Sequence, residues 1–239
     1  MTKNITSLKA KNISAGYGEQ IIIRNINLDI YESSITTIIG PNGCGKSTFL
    51  KSISGIINPV EGNIEIYGND VTNLSTFELS KIGLGYVPQS ENIFPSLSVE
   101  DNLKMGGYIL NSVQYKKNLD KVLDMFPDLK SKLQDSSSNL SGGQRQMLAL
   151  SRALMLDPKI IMLDEPTAGL SPIIVDEVLE NIISLKNSDL SVLLVEQNAK
   201  KALQVSDFGV VFSFGKKVIE DVADKILKDK EISKLYLGG

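Results

Sequence analysis

Ile35-Thr-Thr-Ile-Ile-Gly40-Pro-Asn-Gly-Cys-Gly-Lys46-Ser47-Thr48 is the stretch that decides the fold. Its first five residues are a compact, β-branched run that reads as a buried strand. The next eight, Gly40, Pro41, Asn42, Gly43, Cys44, Gly45, Lys46 and Ser47, satisfy the spacing G-x-x-x-x-G-K-[ST] at every fixed position. From Lys46 to Ser54, closed by Gly55, the pattern is helical. A strand, a glycine-rich turn and a helix in that order make a phosphate cradle. The glycines let the backbone curl until successive N–H groups converge, and the helix aims its positive end at the same point. In such a cradle Lys46 meets the β- and γ-phosphates of a nucleoside triphosphate, and the Ser47 hydroxyl ligates Mg²⁺.

Working outward, Ile160-Ile-Met-Leu163 and Val192-Leu-Leu-Val195 are further short apolar runs bounded by charged or turn residues. Gln144–Leu154 and Ile173–Leu185 carry helical patterns between them. Strands alternating with helices imply an α/β core. The run from Ile160 ends in Asp164-Glu165, two adjacent carboxylates at a strand end. Beside a phosphate site this pair suits divalent-metal chemistry, with Asp164 holding Mg²⁺ and Glu165 orienting and polarising the attacking water.

From Asn92 to Leu154 no strand pattern is evident. Ser98-Val-Glu-Asp101 has the form of a capping box with Asp in place of Glu, and Asp135-Ser-Ser-Ser-Asn139 reads as a polar loop. The N-terminal stretch, Asn63–Tyr67 and Val210–Ile219 read as antiparallel strand material. The expected organisation is an ATP-binding core over residues 1–91 and 155–239, with an antiparallel β subdomain, and an inserted helical subdomain over 92–154.

Bulk properties exclude several classes. Among 239 residues, 25 basic and 28 acidic side chains leave a net charge of −3, which gives no electrostatic reason to expect a nucleic-acid partner. One cysteine and no histidine rule out an intrachain disulfide and a zinc cluster. The polar start reads as no signal peptide, and no apolar run reaches the roughly 18–20 residues that span a bilayer. A cytoplasmic chain is expected, attached to a membrane only through another protein.

Leu140-Ser141-Gly142-Gly143-Gln144 points to a family. Two glycines heading an amphipathic helix form a second anion site in a chain that already has one. The combination resembles the signature motif of the ABC ATPases, P-loop NTPases in which this second site faces the nucleotide of a partner subunit, so that ATP closes a dimer. The resemblance runs from Leu8 to Gly239. It implies that Tyr17 stacks on adenine, and that Gln89, in Tyr86-Val-Pro-Gln89, touches Mg²⁺ or the water and senses the transporter. It also implies a groove near Gln89 to Val99, with Phe94, Pro95 and Leu97, that receives a cytoplasmic helix of a permease.

Two positions depart from the family pattern. Gln197, in Leu194-Val-Glu-Gln197-Asn198, occupies the place of a histidine that contacts the γ-phosphate, and a glutamine amide cannot take up positive charge. Ala168-Gly-Leu-Ser171 ends in serine where the family often has aspartate. Both departures, with Met105-Gly-Gly, Pro172-Ile-Ile and Tyr236-Leu-Gly-Gly239, are similar to one of the two ATPases of branched-chain amino-acid importers. There the partner is a different, histidine-bearing ATPase, although a homodimer stays open at this point. The full system implied adds permease subunits and an external substrate-binding protein. Urea, amide and polar amino-acid importers and lipopolysaccharide exporters are the alternatives. A non-transport ABC ATPase of DNA repair or translation would call for a coiled-coil insertion, zinc cysteines or a second cassette.

Overall fold

Two long strands open the chain, β1 (Thr6–Tyr17) and β2 (Gln20–Tyr31), joined by a tight turn and paired antiparallel. In this computed structural model residues 5–90, 92–186 and 188–232 are described, so Tyr236–Gly239 lie outside the described residues. After β2 come β3 (Ile35–Ile39), α1 (Lys46–Ile53), β4 (Glu61–Ile66) and the short β5 (Asn69–Asp70). Then follow α2 (Thr76–Lys81) and β6 (Leu84–Val87). The helical stretch holds α3 (Val99–Gly106), α4 (Ser112–Met125), α5 (Pro127–Lys130), a 3-10 turn (Ser137–Asn139) and α6 (Gly142–Leu154). The chain continues through β7 (Ile160–Asp164), α7 (Pro172–Lys186), β8 (Ser191–Val195) and α8 (Ala199–Gln204). It closes with β9 (Phe208–Ser213), β10 (Lys216–Val222) and α9 (Ala223–Lys228).

Two sheets result. One is antiparallel, in the order β2-β1-β4-β5; the other has six strands in the order β10-β9-β3-β8-β7-β6. The strands from β9 to β6 in the second sheet run parallel, so their C-terminal ends share one edge. Strands buried on both faces should be apolar at every position, and β3, β7 and β8 are buried throughout. Alternation along each strand still decides where a side chain goes. Ile161, Leu163, Val192 and Leu194 join the core beneath the helical stretch, whereas Ile160, Met162, Leu193 and Val195 pack with Phe49 and Leu50 of α1 and with the antiparallel sheet. The helical stretch therefore shares its core with one face of the parallel sheet.

One sequence expectation holds in part, and one strand goes unread in the sequence. Val210–Ile219 is antiparallel as expected where β9 pairs with β10, but β9 also pairs parallel with β3 and so extends the core sheet. The intervening α8 supplies the crossover that a parallel connection requires. The strand β6, four residues with a glycine inside and Pro88 after it, is too short to show as a pattern, yet it pairs with β7 along its length.

Capping explains the helix starts. Ser98 accepts from the Asp101 N–H at 3.0 Å, as the sequence suggested. The Asp101 carboxylate, one methylene shorter than Glu, takes the Ser98 hydroxyl at 2.8 Å instead of its backbone N–H, so the box is half closed. One turn further on, fully buried Asn102 organises the loop before α3. Its carboxamide accepts from the Phe94 N–H at 2.8 Å and donates toward Phe94 O at 2.9 Å, Ser98 O at 3.0 Å and Ser137 Oγ at 2.9 Å. Arg152 of α6 braces the same loop, with its guanidinium 4.5 Å from the Phe94 ring centroid and a hydrogen bond to Asn92 O.

Candidate nucleotide site and its second half

Because the strands are parallel, the residues that follow β3, β6, β7 and β8 emerge at one edge of the sheet, the usual ligand edge of an open α/β sheet. The loop after β3 is held by close approach. Gly40 has φ 151°, and a Cβ there would lie 2.2 Å from Phe212 O; Gly45, at φ 105°, would drive one to 2.4 Å from Ile23 Cγ2. Only glycine fits at these two positions, which is the structural meaning of the loop spacing. Gly45 is the N-cap of α1 and makes no side-chain cap, so the first N–H groups of that helix stay available to a ligand.

Lys46 is 4% exposed, and its ammonium donates to Gly40 O at 2.9 Å and Pro41 O at 3.3 Å, closing the loop over itself. The same nitrogen lies 3.9 Å from Glu165 Oε1. Ser47 donates to Asp164 Oδ1 at 3.0 Å, and the Tyr86 hydroxyl approaches Asp164 Oδ2 at 3.5 Å. Burial pushes the Asp164 carboxyl above its ordinary range, with the neighbouring Glu165 charge adding to it and the Ser47 hydrogen bond partly opposing it. Tyr86 is shifted upward by burial first and then by the Asp164 charge, so it stays a neutral donor.

Glu165 is 7% exposed and sits at φ 49°, a left-handed conformation that a glutamate holds only under constraint. The constraint is visible: its N–H donates to Val195 O at 2.9 Å, and its carbonyl accepts from the Ala168 N–H at 3.1 Å. One carboxylate oxygen receives the side-chain amides of both Gln89, at 2.7 Å, and Gln197. The other faces Lys46. Both glutamines are exposed residues reaching over a buried acid from the open side.

Tyr17, Asn42, Gly43, Gly45, Lys46, Ser47, Thr48, Gln89, Glu165 and Gln197 surround one cavity of about 410 Å³, with Ile22 as an apolar wall. Tyr17 is half exposed at its rim, and the Lys51 ammonium lies 5.9 Å from its ring centroid. Cys44 turns away into the core and is buried. Its thiol is pushed up mainly by burial, against the pull of Lys46. The donor set fits a divalent cation that arrives with its own phosphate oxygens. A part-buried hydroxyl–carboxylate pair is in place, and among the described residues no cluster of three acidic, histidine or cysteine side chains offers a complete metal cage.

Leu140–Gln144 do not line that cavity. Helix α6 starts at Gly142, two residues earlier than its apolar pattern suggests, because Ser141 and Gln144 form a closed capping box. Gln144 takes the Ser141 N–H at 3.1 Å, and Ser141 Oγ takes the Gln144 N–H at 3.2 Å. The N–H groups of Gly142 and Gly143 remain at the positive helix end. Leu140 is buried and its carbonyl binds Arg145. Ser171, exposed at the start of α7, occupies the segment that follows Glu165. Sequence reading missed two residues here, Tyr86 against Asp164 and the buried Glu196. An acid directly after a fully apolar strand was the available signal for Glu196.

A family model described as ABC transporter matches residues 23–168. A probable branched-chain amino acid transport ATP-binding protein LivF of Archaeoglobus fulgidus is 38% identical over 97% of this chain and 98% of its own length. A high-affinity branched-chain amino acid transport ATP-binding protein BraG of Pseudomonas aeruginosa is 36% identical over 97% and 100%. The lipopolysaccharide export system ATP-binding protein LptB of Escherichia coli is 33% identical over 98% of both. Among solved structures, the ADP conformation of an ATP-binding cassette of an ABC transporter aligns with TM-score 0.88 at 26% identity over 100% of both chains. A dimeric post-hydrolysis cassette bound to ADP and Pi aligns with TM-score 0.77 at 28% identity, over 90% of this chain and 98% of that one.

Proposed function

The chain belongs to the ABC transporter family as its ATP-hydrolysing subunit, and on that premise we propose that it powers import of branched-chain or related amino acids as one half of an unequal ATPase pair. The observation that carries the hydrolytic reading is Glu165, a buried carboxylate beside the phosphate loop whose one oxygen is already fixed by two amides. Residues 1–91 and 155–239 act as the ATP-binding core, and 92–154 as the subdomain that presents the second half-site.

The loop Gly40–Thr48 wraps the phosphates, and Lys46 exchanges its two carbonyl partners for phosphate oxygens when ATP enters. Tyr17 covers the adenine. Ser47 and Asp164 would hold Mg²⁺, with Gln89 beside them, and a bound ion would supply charge neutralisation for the phosphates. Glu165 accepts a hydrogen bond from the attacking water and orients it in line with the γ-phosphate. Gln89 and Gln197 keep that carboxylate from rotating. Ser141, Gly142 and Gly143 offer their helix end to the γ-phosphate held by the partner subunit, so ATP favours the closed dimer.

Import and the unequal pair are supported by the likeness to LivF and BraG and by Gln197 and Ser171, which stand where a symmetric pair would carry histidine and aspartate. The likeness to LptB supports a second reading, export. A groove of about 280 Å³ between Pro88 and Asn92 on one side and Gly106, Ala149 and Arg152 on the other would receive a permease helix. Among the described residues no helix is long and apolar enough to cross a membrane, so attachment at the cytoplasmic face would run through that groove. Disrupting the chain's gene and measuring uptake of labelled leucine, isoleucine and valine tests the reading. Loss of uptake is expected; intact uptake with a lipid-export defect would favour the exporter.

A further inference from the structure

Among the described residues, Glu196 is the one buried acid that this scheme leaves without a role. It is 2% exposed, one position beyond β8, and among the described residues no basic side chain pairs with it. An apolar residue would serve a merely packed position better, because a buried carboxylate without a cation is expensive unless backbone donors satisfy it. Two such donors do. Oε1 accepts from the Thr167 N–H at 2.9 Å and Oε2 from the Gln197 N–H at 3.1 Å.

These two donors belong to the two loops that matter. Thr167 lies two residues past Glu165, and its carbonyl accepts from the Leu170 N–H at 3.2 Å, at the start of the segment that ends in Ser171. Gln197 is the residue whose amide holds the Glu165 carboxylate. The Glu196 N–H in turn donates to Ile38 O at 3.3 Å, on the strand that feeds the phosphate loop. We propose that Glu196 is a positioning residue for ATP hydrolysis: its carboxylate staples the loop after β7 to the loop after β8. The staple fixes Glu165, Gln197 and the Ser171 segment as one unit. This rests on the ATPase reading above. The geometry is two-sided, so a shift of the Ser171 segment by the partner subunit is felt at Gln197 through a single side chain. Burial pushes the Glu196 carboxyl up, while the Thr167 and Gln197 donors pull it back toward the charged, accepting form.

The test uses the full chain and two variants, each paired with the partner ATPase in the assembled transporter. Glu196→Gln keeps the shape and one acceptor but turns an NH₂ toward one of the two N–H groups; Glu196→Ala removes both acceptors. Amide exchange at Thr167 and Gln197 is expected to rise about tenfold or more in either variant while protection in β3 and β7 stays unchanged. Single-turnover hydrolysis is expected to fall about tenfold in Glu196→Gln and about a hundredfold in Glu196→Ala, with ATP affinity within about twofold of the parent. In a Gln197→Ala background, Glu196→Gln should cost less than about threefold further, because the two act in series. Unchanged exchange, or equal losses in affinity and turnover, overturns the staple. An assembled parent complex that shows no turnover overturns the ATPase reading itself, whereas turnover that Glu196→Gln leaves intact overturns the positioning role alone.

Discussion

Asn102→Ala should weaken the helical side of the molecule far more than a small polar change ordinarily does. The carboxamide is fully buried and makes four contacts of 2.8–3.0 Å to the loop at Phe94, to Ser98 and to Ser137. Alanine leaves the buried Ser137 hydroxyl and the part-buried Phe94 N–H without a partner, and an orphaned buried polar group costs about 1–3 kcal/mol. The vacated volume adds about 1 kcal/mol, so a total near 3 kcal/mol is expected. For a chain of this length each kcal/mol moves Tm by about 2–4 °C, which makes the shift about 6–12 °C. Thermal unfolding of the full chain measures it. ATP affinity should hold, because the cavity around Lys46 shares no hydrogen bond with Asn102. Transporter-stimulated ATPase should fall, because the Phe94 ring lies against Arg152, which lines the groove. A Tm shift below about 2 °C, or a loss of ATP affinity as large as the loss of coupling, would refute the reasoning.

Two further outcomes follow from the site. Cys44 should alkylate slowly at pH 7 and faster as pH rises past the ordinary thiol range, since burial holds its proton on. The adduct should block ATP binding and ATP should protect, as read by mass spectrometry with a nucleotide-binding assay. For Asp164, the folded-state pKa lies above the unfolded one, so its contribution to stability is present below about pH 4 and lost as pH rises through the folded value. Asp164→Asn should therefore raise the Tm of the nucleotide-free chain at pH 8, with a gap that closes in acid, while abolishing the extra stabilisation that Mg²⁺ gives with ATP.

The sequence made the site legible where chemistry and spacing coincide. Gly40 to Ser47 dictates its own backbone, because two of its glycines leave no room for a Cβ. Asp164 and Glu165 were legible because a five-residue apolar strand delivers them to an edge. The meeting of Gln89 and Gln197 on one oxygen of Glu165 was not, since it depends on strand order: β8 lies between β3 and β7, and β6 lies beyond β7. No local pattern encodes that order, and the same holds for β9, whose partner is β3, some 170 residues earlier. Glu196 escaped for a related reason. Its partners are backbone N–H groups, which leave no trace in residue identity.

The central claim, that Glu165 drives hydrolysis at a site shared with a second subunit, is tested most directly by Glu165→Gln in the assembled transporter. Phosphate release should fall at least about a hundredfold while ATP is still bound and the ATPase pair stays closed around it. Turnover that survives the substitution unchanged would contradict the account.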